Sequence, residues 1–193
     1  YTVVNYAAPT PREKRHHFLW RFYRELPGHG GMSVFDRSWY GRVLVERVEG
    51  YCTERDWMRA YGEINDFEAD LTAHGYVMAK FWLQITADEQ LRRFKEREKT
   101  VWKQFKITKD DWRNREKNRL YDRAAEEMFR RTDHSVAPWD VIPAEQKRFA
   151  RIAVSRDEER VAAGGCKVVR KLAAGAAEAV RPQHAVVAAQ PGD

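Results

Sequence analysis

The chain has 193 residues, a formal charge of +6 and 33% charged residues, enough length for one domain with a real hydrophobic core. Its two cysteines, Cys52 and Cys166, are too few and too far apart for a disulfide framework or a zinc site, so a reducing, cytoplasmic setting is expected. No apolar run approaches the ~20 residues of a membrane span, and no stretch reads as a signal peptide.

Adjacent His16-His17 and the other histidines show no metal-ligand spacing. The first residue, Tyr1, predicts a fragment or a processing product. Thr2-Val3-Val4-Asn5-Tyr6 is β-branched and aromatic and predicts a strand. Thr10-Pro11 with Glu13 has the form of a helix start, and Phe18, Leu19, Phe22 and Leu26 predict an amphipathic helix over 11–26. Arg12, Lys14 and Arg15 would lie on its solvated face.

Gly30-Gly31 then leads into Met32-Ser33-Val34-Phe35-Asp36, a short buried strand ending in an acid. Open α/β sheets bind ligands at that end of their strands. Ser38 is placed to cap a following helix, on which Ser38, Arg42 and Glu46 would share one face. One carboxylate beside Arg37 and Arg42 suits a metal-bound phosphate chain, with Asp36 on Mg²⁺ and the guanidiniums on free oxygens. The alternative is a strand-end acid that caps a helix and pairs with arginine.

Residues 54–73 predict a helix with Trp57, Tyr61, Ile64, Phe67 and Leu71 inward, stopped by Gly75. Tyr76 to Ile85 reads as a buried parallel strand carrying Lys80, whose ammonium needs a partner: a structural salt bridge, or a phosphate or carboxylate. Thr86-Ala87-Asp88-Glu89 opens another helix. Residues 92–131 hold 15 Lys and Arg against 8 Asp and Glu, so the positive excess is concentrated there and calls for an anionic partner. Within 100–120, Trp102, Phe105 and Trp112 interleave with cations, which fits a mobile cap closing over a charged ligand or a nucleic-acid stacking surface. Tyr121 to Arg131 predicts a helix, 137–142 a last strand, and 143 to about 156 a closing helix. Residues 161–193 are dominated by Ala, Gly and Val and are expected to be mostly disordered or a loosely attached helix. This alternation predicts a parallel sheet with helices on both faces.

Phe35-Asp36-Arg37-Ser38-Trp39-Tyr40-Gly41-Arg42 followed by Val45-Glu46-Arg47-Val48 resembles the Walker B segment of the type 2 polyphosphate kinase family. Other stretches of the same family are resembled by Ala8-Pro9-Thr10 with Glu13, by Leu26-Pro27 with Gly30, by Lys80-Phe81-Trp82 with Gln90 and Arg93-Phe94, and by Lys106-Ile107-Thr108, each in the family's order. Arg131-Thr132 and Ala137-Pro138-Trp139 extend the likeness, which covers roughly residues 3–154. The run Asp111-Trp112-Arg113-Asn114-Arg115-Glu116-Lys117 is most similar to members that phosphorylate AMP.

The resemblance implies a P-loop kinase-like α/β fold with a helical lid at about 100–120, in a domain over 1–160 followed by a tail over 161–193. It begins only at the family's second strand: no G-x-x-x-x-G-K motif occurs, and a gap is expected where the family's first strand and P-loop would lie. It further implies transfer of a phosphoryl group between inorganic polyphosphate and a nucleotide, AMP to ADP being favoured, with Mg²⁺. Asp36, Arg37, Arg42 and Glu46 would be catalytic. Lys80, Lys103, Lys106, Arg113, Arg115 and Lys117 would reach polyphosphate or nucleotide, while Phe105 and Trp112 hold the lid together. A homo-oligomer or a second kinase domain is the expected partner, with no membrane or nucleic acid. The competing readings are a catalytically incomplete polyphosphate-binding domain, a nucleic-acid binder, and an ATP-dependent nucleoside monophosphate kinase.

Overall fold

The computed structural model describes residues 1–102, 109–163 and 183–189. Five strands form one sheet in the order β1-β2-β5-β3-β4: β1 (Thr2–Asn5), β2 (Met32–Asp36), β3 (Val77–Gln84), β4 (Trp139–Pro143) and β5 (Gln183–Ala189). β1 runs parallel to β2, and β3 to β4, but β5 lies antiparallel between the two pairs. The expected parallel sheet is therefore mixed, and the expected gap is filled.

Part of the tail, Gln183–Ala189, closes that gap as a strand that the expectation of a mostly disordered tail or a loosely attached helix did not include. Without it, β2 and β3 would each leave a row of N–H and C=O groups unpaired beside the core. The uncharged run Gln183-His184-Ala185-Val186-Val187-Ala188-Ala189 pairs with both, from Met32↔Ala189 to Asp36↔Ala185 and from Val77↔Ala189 to Leu83↔Gln183.

Alternation along the central strands separates two cores. Met32, Val34, Ala79, Phe81 and Leu83 pack with Ala150 and Val154 of α7 (Lys147–Ala163). On the other face, Phe35, Met78 and Trp82 join Phe22 of α1 (Trp20–Tyr23), the inner side of α3 (Glu54–Ala73), and Ala124, Ala125 and Met128 of α6 (Asn118–Thr132). Helices thus cover both faces, as expected. The remaining helices are α2 (Val45–Glu49), α4 (Ala87–Lys99) and α5 (Lys109–Glu116). No helix among the described residues is long and apolar enough to cross a membrane.

Local signals explain the element ends. α3 begins with a complete capping box between Thr53 and Asp56 and is followed by Gly75 at φ +87°. Thr86 caps α4 by accepting from the Glu89 amide. The helix expected over 11–26 is instead a 3-10 turn (Glu13–Arg15) and the short α1. Thr10 and Glu13 do cap each other, but His16 turns extended and stacks its ring 4.1 Å from that of Trp20. Gly31 packs so tightly that an added Cβ would stand 2.9 Å from the Gly28 carbonyl, which explains a glycine just before β2.

A buried ion pair joins the elements around the end of β2. Lys80 and Glu68 are both 0% exposed. The Lys80 ammonium donates to Glu68 Oε2 at 2.9 Å, to the Tyr40 hydroxyl at 3.0 Å and to the Thr132 carbonyl at 2.8 Å, using all three protons. Glu68 Oε1 accepts from Trp39 Nε1 at 2.9 Å and from Tyr40 at 2.7 Å. His134 Nε2 stands 3.2 Å from Oε2. Burial alone would raise the Glu68 pKa, but His134, Lys80 and Tyr40 together hold it below the ordinary range.

Lys80→Met strands that carboxylate and is expected to lower unfolding free energy by about 3–5 kcal/mol in denaturant titration; a loss under about 1 kcal/mol contradicts the network. Deleting residues 164–193 uncovers β2 and β3 and is expected to lower the thermal midpoint by several degrees. An unchanged midpoint contradicts the central place of β5.

Candidate active site

Asp36 ends β2 in register with Asn5 at the end of β1, so it stands at the carboxyl edge of that parallel pair. Arg37 follows at φ +63°, a left-handed conformation that costs a non-glycine residue about 1 kcal/mol. The sharp turn delivers Trp39 and Tyr40, both 0% exposed, to their buried partner Glu68. The segment carrying Asp36 and Arg37 is therefore held by the sheet on one side and by two anchored aromatics on the other.

Ser38 makes no side-chain cap, because a 3-10 turn (Trp39–Arg42) follows it rather than a regular helix. The single helical face expected for Ser38, Arg42 and Glu46 is thus broken at Leu44, before α2 begins. Arg42 and Glu46 still meet, at 3.0 Å, and the Arg42 guanidinium lies 4.8 Å from the Phe18 ring centre. Burial raises the pKa of Asp36, opposed by Arg37, and that of Glu46, opposed first by Arg42. A half-buried carboxylate whose charge is costly gains from an arriving cation, and the exposed Arg37 beside it favours an arriving anion.

The basic segment approaches from α5 and α6. Arg113 and Lys117 stand 3.7 and 2.8 Å from Glu49 Oε2, at the last residue of α2. Arg115 donates to the Ala87 carbonyl at 2.6 Å and to Gln90 at 3.0 Å, binding α5 to the start of α4. Trp112 packs edge-on against Phe94 of α4. Lys103, Phe105 and Lys106 lie outside the described residues.

Lys80 corrects the sequence reading in one respect. Its ammonium is buried and its three protons are taken inside the protein, so the salt-bridge alternative is the one that forms. Glu68 and Glu49 were not singled out from sequence. Glu68 stands among polar residues on α3 without an identifying spacing. Glu49 left a signal: an acid in the last turn opposes the helix dipole, so cations from another element should hold it.

The family model for Polyphosphate kinase 2 matches residues 1–164. The chain is 56% identical over 156 residues to a polyphosphate:AMP phosphotransferase of Pseudomonas syringae pv. tomato, covering 81% of this chain and 31% of that protein. It is 38% identical over 152 residues to ADP-polyphosphate phosphotransferase 3 of Rhizobium meliloti, covering 79% of this chain and 54% of that one. It superposes on the crystal structure of a putative polyphosphate kinase 2 from Pseudomonas aeruginosa PA01 with TM-score 0.80 and 52% identity, over 82% of this chain and 35% of that one. The chain thus spans about a third of the polyphosphate:AMP phosphotransferases it matches.

Asp36 has a direct thermodynamic signature. Its folded-state pKa lies above the unfolded value, so its ionised form costs stability at neutral pH and the cost vanishes as pH falls below the ordinary aspartate range. Asp36→Asn is expected to raise the thermal midpoint at pH 7, with the difference from the parent closing at about pH 3. A lower midpoint at pH 7 contradicts a desolvated site carboxylate.

Proposed function

The chain belongs to the polyphosphate kinase 2 family, and on that premise we propose that it transfers a phosphoryl group between inorganic polyphosphate and a nucleotide, AMP to ADP being favoured. The observation that carries the proposal is the desolvated Asp36 carboxylate at a strand tip beside Arg37, with the Glu46-paired Arg42 following a few residues on in the chain. The 56% and 53% identities to polyphosphate:AMP phosphotransferases support AMP as acceptor.

An AMP phosphate oxygen attacks the terminal phosphorus of the chain. The bridging P–O bond breaks, and a polyphosphate one unit shorter departs with the electron pair as its new terminal oxygen. Such a transfer asks for alignment and charge neutralisation rather than a covalent protein intermediate. Arg37 and Arg42 neutralise the transferring group, and the ion pair with Glu46 fixes the direction of Arg42. The half-exposed Arg113 covers the chain as part of a lid. Arg115 and Lys117 set where that lid sits, and Lys80 stays in the core.

Among the described residues no group of three or more His, Cys, Asp and Glu forms a metal cage. Mg²⁺ does not need one: it suits one carboxylate, water and substrate phosphates, and Asp36 is the residue that would hold it. When bound, Mg²⁺ would neutralise phosphate charge and orient the oxygens. A cytoplasmic setting suits these substrates.

The concentration of cations over 92–131 supports binding of a polyanion whether or not transfer follows, which gives a second reading, a polyphosphate-binding domain without turnover. Incubation with AMP, Mg²⁺ and polyphosphate, and then with ATP replacing polyphosphate, separates the two. ADP formed only from polyphosphate supports transfer, and Asp36→Asn should lower that rate by roughly a hundredfold or more. Binding without ADP supports the second reading, and ADP made from ATP alone rejects polyphosphate as the donor.

A further inference from the structure

The five-residue helix α2 carries two acids one turn apart, and each grips phosphate-seeking cations from a different part of the chain. Glu46 holds Arg42, from the segment that follows Asp36. Glu49 faces the basic segment. Its Oε2 accepts from Lys117 at 2.8 Å and lies 3.7 Å from Arg113, and its Oε1 accepts from the Tyr121 hydroxyl at 3.2 Å. The Glu49 side chain is 5% exposed, so phosphate cannot replace it by direct contact with solvent-facing oxygens.

The helix is itself fixed. Arg47 donates to the Tyr61 hydroxyl at 3.0 Å and to Glu127 at 2.8 Å, and its guanidinium stands 3.9 Å from the Trp57 ring centre. α2 is thus fastened to α3 and α6 while its acids reach the two sets of cations. The three partners of Glu49 also straddle the break between α5 and α6, at Lys117. Burial alone would raise the Glu49 pKa; Lys117, Tyr121 and Arg113 reverse this and keep it charged.

We infer that Glu49 is a positioning residue for the phosphate donor: it fixes Arg113 and Lys117 relative to Arg42, and it competes with the phosphate chain for their charge. This rests on the transfer reading above. The competition follows from charge alone. A carboxylate 2.8 Å from Lys117 cancels much of the field that a polyanion would otherwise meet there. When the carboxylate is neutralised, lost competition raises affinity for the phosphate chain while lost positioning lowers turnover, a split that damage to the fold would not give.

Glu49→Gln keeps the shape and a hydrogen-bond acceptor but removes the charge, and Glu49→Asp keeps the charge. In the full chain without ligand, Glu49→Gln is expected to speed amide exchange across 109–117. In turnover with AMP it should lower the KM for polyphosphate roughly threefold to tenfold while kcat also falls. Glu49→Asp should leave that KM within about twofold of the parent. Unchanged exchange in Glu49→Gln overturns the positioning role, and an unchanged or raised KM overturns the competition. If the parent makes no ADP, the transfer reading has failed. Amide exchange and calorimetric binding of sodium polyphosphate then decide the Glu49 inference, with unaltered affinity in Glu49→Gln overturning it.

Discussion

The buried pair of Glu68 and Lys80 is the constraint on which the arrangement turns. Two charges at 0% exposure are tolerated in a core only when the remaining donors and acceptors are also engaged. Here the ammonium uses its three protons, and the carboxylate takes the Trp39 indole and the Tyr40 hydroxyl. The satisfaction is what links α3, β3 and the end of α6 to the residues just after β2. Tyr40 both donates to Glu68 and accepts from Lys80, and burial beside Glu68 drives its own pKa far above the ordinary tyrosine value. It therefore remains a neutral bridge rather than a reactive phenol.

That anchoring decides where the chemistry can sit. With Trp39 and Tyr40 fixed in the core, the turn at Arg37 leaves its guanidinium exposed and Asp36 half-buried at the sheet edge. α2 then ties Arg42 on one side and Arg113 with Lys117 on the other to one short rigid helix. β5 completes the sheet beneath them, with Ala185 paired to Asp36 itself. The polar cluster around Glu68 and the bracket formed by α2 thus hold the acid and the cations in a common frame.

Much of this was legible where local chemistry acts alone. The Thr53 box and Gly75 mark α3, Thr86 marks α4, and a hydrophobic run ending in an acid places Asp36 at a strand tip. Pattern failed where a distant partner or a side-chain stack decided the outcome. Apolar spacing over 11–26 describes a helix, yet His16 extends the backbone and lies on Trp20 instead. Lys80 announces that a partner is needed, but nothing local points to Glu68 on the preceding helix. The tail reads as low complexity in isolation, and it takes the two open edges of β2 and β3 to give the run 183–189 a structure.

A crystal structure of the chain with polyphosphate and Mg²⁺ would test the central claim most directly. The account predicts a phosphate chain within hydrogen-bond distance of Arg37 and Arg42, with Asp36 toward the metal and Arg113 over the chain. A phosphate chain bound elsewhere, with the edge at Asp36 left untouched, would contradict it.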